Sequence, residues 1–259
     1  MTDTMIADTR IAIVSITRHG IALAGKIAHA LPGARLFAPD KFAELAEAAA
    51  PGRATVYTGR TAEQIPALIT GFDGIVAVVS LGAMVRLLAP HLGDKTHDPG
   101  VVVLDEGGRF AIPMLSGHLG GANALAARVA DAIGAQPVLT TASDARQSLA
   151  VDLLGRELGW HFEASKAAVV AASAAVVNDE PVALVQEAGS TDWWRNHANG
   201  RSNAVPANIE ILTDLAAVDP QRHRGVLWIT HRPLSALPAT LQSAIAGRLV
   251  VYRPQEDAR

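Results

Sequence analysis

The chain of 259 residues contains no cysteine. This absence excludes disulfides, thiolate nucleophiles, and zinc or iron–sulfur sites held by cysteine. It also fits a reducing compartment, so we expect a cytoplasmic protein. Aromatic residues make up only 4% of the chain and the net charge is -3. Neither a surface that stacks single-stranded bases nor a general attraction to nucleic acid is therefore expected.

Long apolar runs are also missing. A membrane-spanning helix needs about 20 apolar residues, and no run in this chain approaches that length. The opening M-T-D-T-M-I-A-D-T-R is mixed and polar, unlike a signal peptide. We expect no membrane association. With 49% hydrophobic and 18% charged residues, the composition is that of a globular protein with room for one large or two modest domains.

What the chain does have is an alternation of short apolar segments with alanine-rich, helix-like segments. This alternation predicts an α/β fold, a mostly parallel sheet covered by helices on both faces. Two of the apolar segments, Val101 to Leu104 and Phe110 to Met114, flank the sequence Glu106-Gly107-Gly108. That spacing predicts a hairpin between them.

The regular alternation of apolar and helix-like segments ends at Asp144. We predict an α/β domain over residues 1–145 and a second, smaller α/β domain over residues 146–259. A helix from Gln147 to Leu158 is predicted to join them. Residues 187–206 form a long polar stretch that predicts a loop or lid, with Trp193-Trp194 as a packed anchor.

Polar residues follow several of the predicted strands. Ligands of open parallel sheets bind beyond the carboxyl ends of the strands, where free helix-start amides and cationic side chains can hold carboxylates or phosphates. The alternative is that these Ser, Thr and Gly residues serve only as caps and turns. The candidate binding residues are Arg18, His19, Gly82, Arg86, Lys95, Ser116, Gly120, Gly121, Asn123, Thr140, Thr141 and Asp144.

His118 is the first candidate for a catalytic group. Histidine titrates near neutral pH and suits general acid–base work, although a lone histidine can also be a buried structural group. Asp105 and Glu106 are the alternates, or they only build the hairpin turn. The amides of Gly120 and Gly121 are candidate oxyanion donors.

We expect Ser116, His118 and the Gly120-Gly121 helix start to line one cleft with Arg18 and Thr141. The histidines do not have metal-ligand spacing, and G-H-L-G-G-A lacks the G-x-G-x-x-G pattern of dinucleotide sites. We therefore expect neither a protein-bound metal nor a cofactor.

The motifs of the chain closely resemble one family. The run G-A-M-V-R-L-L-A-P-H-L-G-D-K-T-H-D-P-G-V-V-V-L-D-E-G-G-R-F-A-I-P-M-L-S-G-H-L-G-G-A-N-A-L-A, followed by P-V-L-T-T-A-S-D, is similar to the N-terminal domain of the cobalt-precorrin-5A hydrolases, CbiG. The opening I-A-I-V-S-I-T-R-H-G-I-A-L-A and the tail R-L-V-V-Y-R-P resemble the same family's start and middle region.

The resemblance implies a role in cobalamin (corrin) biosynthesis. A tetrapyrrole δ-lactone would be opened by hydrolysis, and a two-carbon fragment would leave as acetaldehyde, giving cobalt-precorrin-5B. The cobalt would belong to the substrate. Members of the family typically carry a further C-terminal domain, also found as a free-standing protein called CobE, whereas this sequence ends at Arg259. A CobE-like chain, another corrin-pathway enzyme and a second copy of the chain are the expected partners.

Two other functions stay open from the sequence. A protein that binds or delivers a corrinoid intermediate without turnover would need many of the same residues. T-R-H-G after the first strand also resembles the R-H-G of histidine phosphotransfer enzymes of the phosphoglycerate mutase type, with His19 as the nucleophile. Binding of a corrinoid without formation of product would identify the first alternative, and detection of a phosphohistidine would identify the second.

Overall fold

The computed structural model describes residues 10–93, 98–118, 120–141, 148–194 and 204–255. The chain divides into two compact units, residues 1–140 and 141–259, each built around a sheet of its own. Lys95 and Asp144, two of the predicted binding residues, lie outside the described residues. In the part of the chain that is described, no helix is long and apolar enough to cross a membrane.

The first unit is a doubly wound sheet. Within its described residues, seven strands pair in the order β3-β2-β1-β4-β5-β6-β7. All neighbouring strands run parallel except β5 and β6. The mostly parallel α/β fold predicted from the sequence is confirmed. The strands are β1 Ile11–Ser15, β2 Arg35–Pro39, β3 Ala54–Tyr57, β4 Gly74–Val78, β5 Gly100–Leu104, β6 Phe110–Leu115 and β7 Gln136–Pro137.

Helices cover both faces of this sheet because its central strands are apolar on both sides. Ile11 and Ile13 of β1 belong to a core that also contains residues of α1, α2 and α5. Ala12 and Val14, which point the other way, belong to a second core with residues of α3 and α4. The helices are α1 Arg18–Ala30, α2 Ala43–Ala49, α3 Ile65–Gly71, α4 Leu81–Leu88 and α5 Ala122–Ile133.

The strand order reverses between β1 and β4. The chain moves outward from β1 through β2 to β3 and then returns to the other side of β1 at β4. Helices α1 and α4 therefore begin at neighbouring strand ends on opposite faces of the sheet. In doubly wound folds this switch point opens a crevice at the carboxyl ends of the strands.

The hairpin between β5 and β6 is confirmed and has a large effect on the site. Leu104 pairs with Ala111, and Val101 pairs with Leu115. The end of β6 therefore lies beside the start of β5. Every residue that follows β6 directly is placed at the amino ends of the parallel strands.

The second unit is the smaller one, also as predicted. Its described residues form a five-stranded sheet in the order β10-β9-β11-β12-β8, parallel except for β8 against β12. Trp194 is buried in its core, which confirms a packed anchor at Trp193-Trp194. The elements are β8 His161–Glu163, α6 Lys166–Val177, β9 Val182–Gln186, β10 Ile209–Leu212, β11 Gly225–Ile229, α7 Ala239–Ile245 and β12 Leu249–Arg253.

The predicted helix from Gln147 to Leu158 is wrong in its described part. The chain is irregular from residue 148, forms turns from residue 151, and has only a short 3-10 helix at Arg156–Leu158. Gly155 has a φ of 73°, and a Cβ there would stand 2.0 Å from the Trp160 ring. The chain folds back over that tryptophan instead of continuing as a helix.

Candidate functional site

The residues predicted to share one cleft are divided between two edges of the first sheet. Arg18 follows β1 at the carboxyl edge, whereas Ser116 and His118 follow β6 at the amino edge. Four residues of β5 separate the two levels, about 13 Å at 3.3 Å per residue. The expectation that His118 and Arg18 line one cleft is therefore wrong, because β6 runs antiparallel to its neighbour. Each edge has to be considered by itself.

The carboxyl edge carries the switch point. Thr17 caps α1, since its hydroxyl oxygen accepts a hydrogen bond from the Gly20 amide at 3.1 Å. The same hydroxyl donates to the carboxylate of Glu106, which reaches it from the β5–β6 hairpin. Arg18 and His19 are exposed in the first turn of α1.

Helix α4 begins on the other side of the switch point, next to Ser80. Its residue Gly82, a predicted binding residue, is exposed at this edge. Arg86 is exposed too, and its Nη1 donates to the Gly82 carbonyl at 3.0 Å. The arginine is thus folded back on its own helix.

Asp105 builds the hairpin turn. Its Oδ1 accepts from the amides of Arg109 and Phe110, both at 2.8 Å, and its Oδ2 accepts from the Arg109 Nε at 3.2 Å. Partial burial alone would raise the pKa of Asp105, but these hydrogen bonds together hold it below its ordinary value. The carboxylate is committed to the turn, which favours a structural role.

Replacing Asp105 is expected to reduce stability in a pH-dependent way. Because the pKa of Asp105 is lowered on folding, its stabilisation is present above the unfolded pKa and disappears as pH falls through the folded one. We expect Asp105→Asn to cost about 1 kcal/mol at pH 6 and less at pH 3. Urea unfolding at both pH values checks this. Asp131→Asn, on the exposed side of α5, is the control. Equal losses of stability at pH 6 and pH 3 for Asp105→Asn would contradict the predicted pH dependence.

The amino edge carries a compact segment that runs from the end of β6 into the first two residues of α5, the residues 116–118 and 120–123. We refer to it as the β6–α5 loop. Its own backbone closes it: the amide of Ala122 donates to the Ser116 carbonyl at 3.2 Å, and that of Asn123 to the Gly117 carbonyl at 2.9 Å. His118 is half-buried within it.

Ser116 is the most unusual residue of this loop. Its φ is 54°, in the left-handed region that residues other than glycine rarely adopt. Its hydroxyl oxygen is buried and has no hydrogen-bond partner among the described residues. Such strain costs about 1–3 kcal/mol and is concentrated at functional sites. A buried hydroxyl without a partner likewise calls for an explanation outside packing.

Two glycines allow the loop to lie directly on the sheet. A Cβ on Gly100 would stand 2.3 Å from the carbonyl oxygen of Gly120, and a Cβ on Gly120 would stand 2.4 Å from the Cβ of Ser116. These contacts involve backbone and Cβ atoms, which cannot rotate away. The glycines thus determine where the β6–α5 loop sits.

We expect Gly100→Ala to destabilise the first unit by about 1–3 kcal/mol, as overpacking does. Gly71→Ala is the matched control, because nothing lies within 4 Å of a Cβ at that position. Urea unfolding of the two variants measures the difference. Equal stabilities would mean that the loop has room to move off the strand.

Of the two amides that the sequence suggested as oxyanion donors, those of Gly120 and Gly121, the second is already used within the loop. The amide of Gly121 donates to the His118 carbonyl at 3.0 Å, and the next two amides are bonded within the loop. Gly121, at a φ of 76°, instead turns the chain into α5. The Ser116 hydroxyl is a donor in this loop that has no partner among the described residues.

The chain after β7 also leads toward the amino edge. Strand β7 runs parallel to β6, and the Val138 amide still donates to the Ala111 carbonyl at 2.9 Å. Thr140, exposed, is the last residue of the first unit, and Thr141 is the first residue of the second. Strand β7 itself is short and consists of Gln136–Pro137.

Sequence reasoning missed Ser15 and Thr17. Ser15 ends β1 with no exposed surface, and its hydroxyl has no hydrogen-bond partner among the described residues. The available signal was a serine and a threonine at the end of an otherwise apolar strand. Among the described residues, no group of three or more His, Asp or Glu side chains is arranged to hold a metal ion.

Taken together, the first unit is a doubly wound α/β domain with a strained polar loop at one edge and a switch point at the other. Comparison with known proteins identifies its relatives. The family described as "Cobalamin synthesis G N-terminal" matches residues 63–144, and "Cobalamin biosynthesis central region" matches residues 149–254. The chain belongs to the CbiG family, as its motifs indicated.

Curated relatives agree with this assignment. The chain is 37% identical over 244 residues to a cobalt-precorrin-5A hydrolase of Priestia megaterium, covering 94% of this chain and 62% of the relative. It is 36% identical over 184 residues to the enzyme of that name from Salmonella typhimurium, covering 71% of this chain and 48% of the relative. The chain thus spans about half to three-fifths of the length of these relatives.

Among solved structures, a cobalamin biosynthesis protein G homolog from Sulfolobus solfataricus is similar, with 19% identity and a TM-score of 0.48. The match covers 97% of this chain and 63% of that one.

Proposed function

We propose that the chain acts in cobalamin biosynthesis by opening the δ-lactone of cobalt-precorrin-5A and releasing acetaldehyde. Two curated relatives carry the name of that enzyme. The observation in this chain that carries the proposal is Ser116, strained at a φ of 54° with a buried hydroxyl that has no partner among the described residues. We assign the chemistry to the β6–α5 loop around it.

The loop can supply the two functions that lactone hydrolysis needs. A base must activate water, and His118 is the titratable group of the loop. A donor must stabilise the oxyanion that develops on the lactone carbonyl, and the Ser116 hydroxyl is suited to this. Water adds to the carbonyl and the lactone opens to a carboxylate and an alcohol.

Acetaldehyde release then needs a second proton transfer. Loss of the alcohol proton forms the C=O bond of acetaldehyde as the adjacent carbon–carbon bond breaks. The electron pair of that bond stays on the macrocycle and takes up a proton. One water is consumed and one acetaldehyde is released, so His118 can act as base in the first step and as acid or base in the second.

The cobalt arrives with the substrate in this proposal, and no metal or cofactor of the protein takes part. A CobE-like chain or a second copy of this chain could complete the site. Asn123 and Thr140 would contact the macrocycle near the loop.

The proposal is tested by incubating the purified chain with cobalt-precorrin-5A, alone and with a CobE-like protein, and by following the macrocycle by mass spectrometry. We expect its mass to change by the gain of water and the loss of acetaldehyde in at least one arm. Tight binding of unchanged macrocycle in both arms would contradict the enzymatic proposal and indicate a delivery protein.

A further inference from the structure

The start of α1 carries charges that are unfavourable for an isolated helix. The amino end of a helix has a partial positive charge, and anionic groups are the ones that stabilise it. The first turn of α1 contains no acidic residue and begins instead with Arg18 and His19, both exposed. Two basic side chains at this position add to the positive potential of the helix start, which favours the binding of an anion.

The backbone at this position is able to bind an anion. Of the first amides of the 13-residue helix, that of Gly20 is capped by Thr17, and that of Ile21 donates to the Thr17 carbonyl at 3.0 Å. Arg18 and His19 precede the first intrahelical hydrogen bond, and their amides have no acceptor among the described residues. Two neighbouring N–H groups are thus available at the positive end of the helix.

A buried hydroxyl points to the same place. Ser15 has no exposed surface, and its Oγ has no hydrogen-bond partner among the described residues. That oxygen and the Thr17 Oγ1 lie 2.5 and 2.8 Å from where a Cβ on Gly20 would stand. The two hydroxyls therefore converge beneath the first turn of α1. A buried hydroxyl is normally paired, so its orphan state indicates that a partner is missing.

The chain already provides a carboxylate at the rim of this position. Glu106, exposed on the β5–β6 hairpin, accepts the hydrogen bond that the Thr17 hydroxyl donates. An exposed side chain at a hairpin turn can leave without disturbing the core. An incoming anion would take over the Thr17 hydroxyl and displace Glu106.

We propose that the amino end of α1 is a binding site for a small oxyanion, a carboxylate or a phosphate, in exchange for Glu106. Thr17, Ser15, the amides of Arg18 and His19, and their basic side chains form it. The site lies at the opposite edge of the sheet from the β6–α5 loop, so it does not depend on the function assigned there.

The test is an NMR titration of the full chain, labelled with ¹⁵N, with sodium acetate and with sodium phosphate at constant ionic strength. We expect the amide signals of Arg18 and His19 to shift and saturate with at least one of the two anions. The anion that binds more tightly identifies the source as carboxylate or phosphate. If neither anion moves these signals, the proposal is wrong.

Variants separate a specific site from general charge effects. Glu106→Gln removes the competing carboxylate and is expected to tighten anion binding about threefold, in the range of a helix-terminus charge effect. Glu63→Gln, which removes an exposed carboxylate paired with Arg60, should leave the affinity unchanged. Equal changes in anion affinity in the two variants, or weaker anion binding by Glu106→Gln, would contradict the proposal that the anion displaces Glu106.

Ser15→Ala gives an independent check. It should weaken anion binding about threefold, the scale of one neutral hydrogen bond, without lowering the stability of the chain. Unchanged affinity would remove Ser15 from the site.

Discussion

His118→Ala is expected to lower acetaldehyde release about a hundredfold or more, the range for a lost general acid–base group. Affinity for the macrocycle should change little, because a group that moves protons in the transition state contributes little to ground-state binding. Stopped assays measure the rate, and corrinoid absorbance follows binding. The position of His118 in the half-buried β6–α5 loop motivates the expectation.

His29→Ala is the matched control for this experiment. His29 is an exposed histidine in the last turn of α1 and takes no part in either edge site. Its replacement should leave turnover unchanged. A fully active His118→Ala protein would remove His118 from the mechanism and move the assignment to Glu106, which lies at the other edge.

Ser116→Gly is expected to change stability and activity in opposite directions. Glycine adopts a φ of 54° without the cost that serine bears, so the variant should gain about 1 kcal/mol in the free energy of unfolding. Loss of the hydroxyl removes the proposed oxyanion donor, and turnover should fall by roughly a hundredfold. Urea unfolding and the acetaldehyde assay measure the two effects on the same preparations.

Ser116→Ala separates the two causes. Alanine keeps the strained backbone and loses only the hydroxyl, so it should lose turnover as Ser116→Gly does without the gain in stability. If either variant retains full turnover, the Ser116 hydroxyl has no part in the chemistry. A Ser116→Gly protein that is less stable than the parent would show that the backbone at this position is not strained.

The hairpin shows how much of the site the sequence could predict. The Glu106-Gly107-Gly108 turn and its two flanking apolar segments were sufficient to predict antiparallel pairing of β5 and β6. That pairing already implies that Ser116 and His118 lie at the opposite edge from Arg18. The single-cleft expectation treated every strand as parallel, and one reversed strand separated the residues.

Other features had no sequence signal. The left-handed φ of Ser116 occurs where Gly120 closely approaches Gly100, two residues that are far apart in the chain. The orphan hydroxyl of Ser15 likewise depends on how α1 lies over β1. Local patterns predict elements, whereas strain and unpaired buried atoms arise only from tertiary contacts.

We propose that this chain turns over its substrate at the β6–α5 loop. The most direct test is acetaldehyde release from cobalt-precorrin-5A with enzyme in excess, comparing the parent, His118→Ala and His29→Ala, each with and without a CobE-like protein. We expect one acetaldehyde per macrocycle with the parent and with His29→Ala, and a rate lower by about a hundredfold with His118→Ala. Equal rates for all three proteins, or no acetaldehyde from any of them, would contradict it.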